Sequence, residues 1–184
     1  MRLRPQGSKG PLVATIGAFE RYQESEAWTW EQQALVRGRV VCGNGALAQK
    51  FEQLRLDLLC VPRDLTKLAE DVVNMREKMR THLGRATKDG KFSLKQGAGG
   101  IVDIEFMVQF AVLAWSHQYP TLARWSDTIR ILESLAQNGL FTEQQSAELI
   151  DAYKRYRSEG HRLQLQNLAA EVDDSQLQEL REKV

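Results

Sequence analysis

The stretch KFSLKQGAGGIVDIEFMVQFAVLAW, residues 91–115, decides the fold of this chain. It begins with a short alternating run, passes through three glycines, and is then apolar from residue 101 to residue 115 except for Asp103, Glu105 and Gln109. A helix that is apolar on nearly all sides lies in the interior of a protein. The apolar run is shorter than the roughly 20 residues that cross a bilayer, and acids interrupt it. The stretch therefore predicts the central helix of a soluble domain.

Two of the polar residues in this helix form an Asp-x-Glu pair that could hold a metal ion. Asp103 and Glu105 would share a face on a strand, but on a helix they are rotated by roughly 200° and point apart. We therefore favour Asp103 in the first turn, where the helix dipole stabilises a negative charge, and a buried hydrogen bond or arginine pair for Glu105. Gln109 follows one turn later and is expected to join this polar seam. No metal site is expected in the chain.

The composition excludes several classes of protein. The 184 residues are enough for one domain with a core, or for one domain and part of another. A net charge of +1 argues against binding of long nucleic acid through overall charge. Two cysteines and three scattered histidines give no zinc spacing, and residues 1–10 lack the apolar core of a signal peptide. We expect a cytoplasmic protein with reduced thiols, and neither nucleic acid nor membrane as a partner.

Helical spacing runs through most of the chain. Apolar residues three or four apart predict helices within residues 17–36, 47–58, 65–79, 125–136 and 142–163. Thr29, Asp64 and Thr142 are expected to cap helices. Trp28 and Trp30 are interpreted as packing anchors between segments rather than a cage that stacks a ligand. The spacings predict a mainly α fold, an antiparallel helical bundle with short loops.

Two segments near the N-terminus instead have the pattern of strands. Residues 2–4 alternate charged and apolar side chains, and residues 11–16, PLVATI, form a short apolar run. An isolated pair of strands is not stable in water, and the later sequence offers no evident sheet. We therefore expect a short β remnant whose partner strands lie upstream of Met1. Residues 1–43 would form the end of the domain that contains this sheet, and residues 44–184 would form the helical bundle domain.

Five strings of residues occur together in a fixed order. They are RLRPQG followed by GPL at residues 10–12, AFERYQ, EAWTWEQQALVRGRVV, KQGAGGIVDIEF and RWSDTIRIL. In this order, and over essentially the whole chain, they resemble the bifunctional glutamine synthetase adenylyltransferase family. The form EAWTWEQQALVR is more similar to the C-terminal, adenylylating half of these enzymes than to the de-adenylylating half. The resemblance implies a nucleotidyltransferase of the polymerase-β type followed by a helical bundle, so the β remnant would belong to a truncated nucleotidyltransferase sheet.

The resemblance also implies a reaction. It is the transfer of AMP from ATP to a tyrosine hydroxyl of glutamine synthetase, with Mg²⁺, in the regulation of nitrogen assimilation. In the family, two metal-binding aspartates lie in a G-S-D-x-D segment and a third directly precedes R-L-R-P; the chain has R-L-R-P at residues 2–5 and none of these aspartates. Two-metal phosphoryl transfer requires clustered carboxylates. We therefore expect no catalytic residue and no tightly bound ATP or Mg²⁺ in these 184 residues, and no transferase activity from them alone.

Three cationic residues are candidates for nucleotide contact. Arg2 and Arg4 would lie at the edge of the implied site, since guanidinium groups suit phosphate oxygens; the alternative is surface charge on a strand end. Lys95 and the glycines of residues 97–100 precede a helix N-terminus, which is a natural anion site; the alternative is a tight-packing turn. A second interpretation of the chain is a regulatory or docking module for the PII signalling protein, glutamine or glutamine synthetase, or the equivalent part of the de-adenylylating half.

Overall fold

The computed structural model describes residues 10–83 and 90–184 of the chain. The helices in these residues are α1 (Ile16–Ser25), α2 (Thr29–Val36), α3 (Gly45–Leu59), α4 (Leu65–Leu83), α5 (Ile101–Trp115), α6 (Thr128–Gln137), α7 (Glu143–Leu165) and α8 (Gln178–Arg181). A 3-10 helix spans Pro120–Arg124, and the two strands are β1 (Lys91–Ser93) and β2 (Glu171–Asp173). The prediction of a mainly α fold is confirmed. In this part of the chain no helix is long and apolar enough to cross a membrane.

The described residues form two compact units. Unit 1 is drawn from Met1–Val72 and Gln109–Ile131, and unit 2 from Val73–Val108 and Leu132–Val184. Each unit therefore combines two stretches that are separate in the sequence. The boundary between residues 43 and 44, which concerns the extent of a nucleotidyltransferase domain, stays a prediction.

Unit 1 is built around α3. Helices α1 and α2 both pack on it, and the rings of Phe19 in α1 and Phe51 in α3 lie 6.1 Å apart between centroids. The start of α4 is fixed as predicted, because the carboxylate of Asp64 accepts hydrogen bonds from the amides of Thr66 and Lys67 at 2.9 and 3.0 Å. This is the usual way in which an N-cap side chain satisfies the first amides of a helix.

The strand expected at residues 11–16 is not present, and that part of the prediction is wrong. Residues 11–15 form no ladder, and α1 begins at Ile16. Leu12 and Val13 are 86% and 84% exposed, and an extended run of this kind needs a neighbouring strand that the described residues do not supply. The hydroxyl of Thr15 instead accepts a hydrogen bond from the amide of Ala18 and caps α1. Residues 2–4 lie outside the described residues.

The start of α2 also differs from the expectation. Trp28, not Thr29, is the N-cap residue, because the carboxylate of Glu31 reaches back and accepts a hydrogen bond from the Trp28 amide at 3.1 Å. Thr29 uses its hydroxyl to donate to Asp71 of α4 at 2.6 Å. Trp28 is 70% exposed, so it is not the packing anchor that we expected, whereas Trp30 is half-buried.

Unit 2 contains a two-stranded antiparallel sheet in which Phe92 of β1 lies opposite Val172 of β2. Both side chains are buried, and the ring of Phe92 lies 6.1 Å from that of Tyr156 in α7. A sheet this small is stable only when it packs against other elements. The helix α7 starts at the predicted capping box of Thr142 and Gln145. Its predicted apolar seam is buried at Leu149, Tyr153, Tyr156 and Leu163.

Candidate functional site

The glycine loop before α5 uses its own backbone amides. The amide of Gly97 donates to the carbonyl of Ser93 at 2.9 Å, and the amide of Gly99 donates to the carboxylate of Asp103 at 2.7 Å. Acceptors in the same turn also receive hydrogen bonds from the amides of Gln96, Gly100, Ile101 and Val102. A helix N-terminus binds an anion through free amides. Here the carboxylate of Asp103 already occupies that position.

The glycines themselves are required by close approach. A Cβ atom on Gly97 would meet the ring of Phe92 and would lie 2.6 Å from the carbonyl oxygen of Ser93. Gly99 has φ of +75° and lies against the backbone of Arg181, a conformation that residues with a Cβ rarely adopt. These contacts favour the tight-packing interpretation of the loop. Lys95 is exposed on it, and its contact with a nucleotide stays a prediction.

Asp103 is the centre of an ion-pair cluster in unit 2. Its carboxylate accepts from Arg76 Nε at 2.5 Å and from Arg80 Nη2 at 3.0 Å. Arg76, which is 7% exposed, also donates to the side chain and the carbonyl of Gln96 at 3.1 and 3.0 Å. Since a buried charge is tolerated only when it is paired and hydrogen-bonded, these contacts fix α4, the glycine loop and the first turn of α5 together. Asp103 lies in that first turn, as predicted.

The other two polar residues of α5 have partners of their own. The Tyr153 hydroxyl donates to Glu105 Oε1 at 3.1 Å, and Arg157 donates to that hydroxyl at 3.3 Å. Gln33 Nε2 donates to Gln109 Oε1 at 3.3 Å, and both amides are buried. The hydrogen bond expected for Glu105 is therefore present, but the Glu105 side chain is half-buried rather than buried. In the residues that the structure describes, no group of three or more His, Cys, Asp or Glu side chains could hold a metal ion.

Arg55 of α3 is a buried cation that the sequence analysis missed. It is 2% exposed, and its guanidinium donates to the carbonyl oxygens of Leu35 and Val36 at the end of α2 at 3.1 and 2.6 Å. It also donates to the carbonyl oxygens of Ala123 and Trp125 at 2.6 and 3.2 Å. Burial lowers the pKa of Arg55. This one side chain thus holds three segments of unit 1 together.

The sequence does contain a signal for this role. Arg55 falls four residues after Phe51 and three before Leu58, so it lies on the same side of α3 as the apolar stripe. A cation at such a position needs acceptors, and the unpaired carbonyl groups at the end of a neighbouring helix can provide them.

Arg63 has a similar role at the end of α3. Its guanidinium donates to the carbonyl oxygens of Leu58, Leu59 and Val61 at 2.8 to 3.0 Å and to the side chain of Gln32 at 3.3 Å. Burial lowers the pKa of Arg63. Cations at a helix C-terminus satisfy the last carbonyl groups and oppose the negative end of the dipole.

Tyr156 is a buried group of unit 2 whose hydroxyl has no hydrogen-bond partner in the described part of the chain. Burial, more than any other cause, raises the pKa of Tyr156 to about 12. The guanidinium of Arg181, which stacks 4.3 Å above the ring of Phe92, acts in the opposite direction and lowers the pKa of Tyr156. The phenol is therefore neutral at physiological pH.

A cavity of about 640 Å³ opens in unit 1 between α1, α2, α3 and the start of α4. Its walls are mostly acidic, amide and apolar side chains, which include Glu20, Gln23, Glu24, Leu54, Asp57 and Asp71, and the cationic side chains of Arg63 and Lys67 also line it. Arg2 and Arg4, the other two predicted nucleotide contacts, lie outside the described residues. Contact of these two residues with a nucleotide stays a prediction.

Comparisons with known proteins identify the chain. The family model for glutamate-ammonia ligase adenylyltransferase matches residues 1–54, and that for GlnD PII-uridylyltransferase matches residues 73–180. The bifunctional glutamine synthetase adenylyltransferase/adenylyl-removing enzyme of Hahella chejuensis is 49% identical over 98% of the chain. The enzymes of the same name from Pseudomonas putida and Pseudomonas aeruginosa are 50% and 51% identical over all of it. The chain belongs to the glutamine synthetase adenylyltransferase family.

The family resemblance stated from the five strings is thereby confirmed. This member of the glutamine synthetase adenylyltransferase family spans about a fifth of the length of the curated relatives, 19% in Hahella chejuensis and 20% in the two Pseudomonas species. The second family match covers more than half of the chain and places residues 73–180 in a family described as GlnD PII-uridylyltransferase. Assignment to the adenylylating half stays a prediction.

Proposed function

We propose that this chain is part of a cytoplasmic enzyme that transfers AMP from ATP to a tyrosine of glutamine synthetase and so regulates nitrogen assimilation. The identity of about 50% with relatives named for this activity, over the whole chain, carries the proposal. The reaction uses Mg²⁺ to neutralise the phosphate oxygens and to align the attacking and leaving groups. In this proposal the ions are held by carboxylates outside these 184 residues, and the ions bind the phosphate oxygens of the nucleotide.

Within that enzyme, the described helices act as a support that orders the transfer site. Residues 1–43 form the end of the nucleotidyltransferase domain and residues 44–184 the helical domain. The phosphate oxygens of the nucleotide are contacted by Arg2, Arg4 and Lys95. Each side chain is positively charged, so it can bind phosphate oxygens directly, without a metal ion between them. Two features support the structural role. They are the buried guanidinium of Arg55 and the ion pairs of Asp103.

The nucleotide contacts are tested in the intact enzyme by charge reversal. Arg4→Glu and Lys95→Glu should each raise the dissociation constant of ATP, measured by calorimetry with Mg²⁺ present. Lys154→Glu is the matched control, because Lys154 is an exposed lysine on α7. An ATP affinity that is unchanged in Lys95→Glu would assign the glycine loop to packing alone. Loss of AMP transfer with retained AMP removal in Arg4→Glu would assign the chain to the adenylylating half, and the opposite loss to the other half.

The source of the catalytic carboxylates has a separate test. A purified protein of only these 184 residues should show no Mg²⁺-dependent transfer of AMP to glutamine synthetase. The control is the intact enzyme in the same assay. Labelled AMP on glutamine synthetase after incubation with the shorter protein would refute the proposal that the metal-binding residues lie elsewhere.

A regulatory or docking role is the second candidate function. The match of residues 73–180 to the GlnD PII-uridylyltransferase family favours it, because that name links a related helical segment to the PII signalling protein. In this proposal PII and glutamine bind the helical domain, and glutamine synthetase docks beside it. Calorimetry of these 184 residues with PII, glutamine and ATP separates the two roles. Binding of PII or glutamine without binding of ATP would support docking, and binding of neither effector would contradict it.

A further inference from the structure

Residues 170–184 form a strap across unit 2. The strap contains β2 and α8, and it follows the loop at residues 166–169 after α7. The amide of Leu94 donates to the carbonyl of Ala170 at 3.0 Å. The amide of Asp174 donates to the carbonyl of Gly90 at 2.9 Å. Since a strand of three residues and a helix of four are not stable alone, the strap is ordered only while it lies on the unit.

The side chains that attach the strap lie mostly at the surface. Two ion pairs join it to β1 and α7, Lys91 with Asp173 and Lys183 with Glu148. Each of these four side chains is at least 31% exposed, and exposed ion pairs contribute little to stability. Two apolar side chains of the strap are buried, those of Val172 and Leu180. The strap is therefore attached by few buried contacts.

The closed strap also buries two polar atoms that lack partners. The guanidinium of Arg181 lies 4.3 Å above the ring of Phe92, and that ring lies 6.1 Å from the ring of Tyr156. Neither Nε of Arg181 nor the hydroxyl of Tyr156 has a hydrogen-bond partner among the described residues. Because water satisfies such groups when they are exposed, burying them disfavours the closed state.

Backbone conformation adds a further cost to the closed strap. Leu177, the residue before α8, has φ of +61°, in the left-handed region that is unfavourable for a residue with a Cβ atom. Asn167, in the loop that precedes the strap, has φ of +58°. Asparagine adopts this conformation more readily than other residues with a side chain. The loop at residues 166–169 is therefore suited to be the hinge.

We propose that the strap opens as one unit about the loop at residues 166–169, while α5 and α7 stay folded. Opening uncovers the ring of Phe92, which is 4% exposed under the closed strap. It also separates Gly99 from the backbone of Arg181, against which it lies in the closed state. The strap is thus a lid on this ring and on the glycine loop that precedes α5. The opening does not require the nucleotide contact proposed for Lys95.

Amide hydrogen exchange of the intact protein tests the opening, with mass spectrometry that resolves single residues. The amides of Leu94 and Asp174 lie on different strands, and each donates across the sheet. We expect them to share one protection factor, roughly tenfold or more below that of the Tyr153 amide in α7. Protection of Leu94 and Asp174 equal to that of Tyr153 would show that the strap opens only in global unfolding, and would overturn the proposal.

Two matched variants of α7 test the cost of the unpaired hydroxyl. Tyr156→Phe removes an oxygen that the closed strap buries without a partner, so it should raise the protection of Leu94 and Asp174 roughly fivefold or more. Tyr153→Phe removes the same atom from a tyrosine whose hydroxyl donates to Glu105 at 3.1 Å, and it should not raise that protection. The same change in both variants, or a fall in Tyr156→Phe, would contradict the assigned cost.

A disulfide across the sheet tests whether the strap moves as one unit. Ser93 and Glu171 lie opposite each other in β1 and β2, so Ser93→Cys/Glu171→Cys can close the strap once mass spectrometry confirms the bond. The oxidised variant should raise the protection of Asp174 to that of Tyr153, and a reducing agent should reverse the effect. Unchanged protection of Asp174 in the oxidised variant would refute a single opening about the loop at residues 166–169.

Discussion

Replacement of Arg55 by methionine tests how unit 1 is held together. We expect Arg55→Met to lower the free energy of unfolding by about 3–5 kcal/mol. A buried polar group without a partner costs about 1–3 kcal/mol, and the variant removes the donor of the Val36 and Ala123 carbonyl oxygens. The four hydrogen bonds of the guanidinium span 2.6 to 3.2 Å, and a hydrogen bond to a charged group contributes about 1.5–3 kcal/mol. Their sum overstates the effect, because the variant no longer buries a charge and because methionine keeps the aliphatic contacts of α3.

The assay is unfolding in urea followed by circular dichroism, with the slope of the transition checked for change. A loss of this size should also lower Tm by roughly 6–20 °C, at about 2–4 °C per kcal/mol for a chain of this length. The free energy of unfolding of Arg55→Lys should lie between those of wild type and Arg55→Met, because an ammonium group has three donors but lacks the planar fork of a guanidinium. Lys50→Met, an exposed change on the same helix, should stay within about 0.5 kcal/mol of wild type.

One result would refute this reasoning. If Arg55→Met unfolds within about 1 kcal/mol of wild type with an unchanged slope, the carbonyl groups of Val36 and Ala123 must be satisfied without the guanidinium. The hydrogen bonds that these two buried residues receive from Arg55 would then have no energetic consequence.

Three further predictions concern unit 2. Asp103→Asn should cost about 2–4 kcal/mol in urea unfolding, because it leaves the buried guanidinium of Arg76 without its carboxylate. Gly97→Ala should cost about 1–3 kcal/mol, since its Cβ would lie 2.6 Å from a carbonyl oxygen, whereas Gly45→Ala has open space and should not destabilise. Tyr156 has a pKa raised from 10 to about 12 by burial. The neutral phenol therefore makes its full contribution to the free energy of unfolding below pH 10, and this contribution is lost as the pH rises from 10 through 12. Because Tyr156→Phe has no titrating hydroxyl, its free energy of unfolding should decrease less over this pH range.

Each of these has a distinct contrary result. Equal stability of Asp103→Asn and wild type would mean that Arg76 is satisfied by Gln96 alone. A neutral Gly97→Ala would show that the loop can move away from the ring of Phe92. A stability profile above pH 10 that is identical in Tyr156→Phe and wild type would assign the fall to other groups.

The local patterns of the sequence predicted the helices well. The apolar run from residue 101 to 115 became α5 with the same limits, and the capping box at Thr142 and Gln145 marked the start of α7. These predictions depend only on residues within a few positions of one another. Spacing and caps are therefore sufficient to place such elements.

Contacts between distant residues were not predictable in the same way. The pairing of β1 with β2 joins residues about 80 positions apart. The alternating run at residues 91–93 is consistent with a strand, but three residues are too few to indicate which strand they pair with. The partners of Arg55 are backbone carbonyl groups of other segments, which the identity of those residues does not reveal. The apolar residues 11–16 gave a false signal, because a strand depends on a neighbour as well as on its own composition.

The pairing of β1 with β2 also sets an order of events during synthesis. Lys91 pairs with Asp173, so β1 leaves the ribosome long before its partner has been translated. At about 5–20 residues per second, the wait is roughly 4–16 s. During that interval the ring of Phe92 has no opposite strand to cover it, and the nascent segment offers an open edge to chaperones.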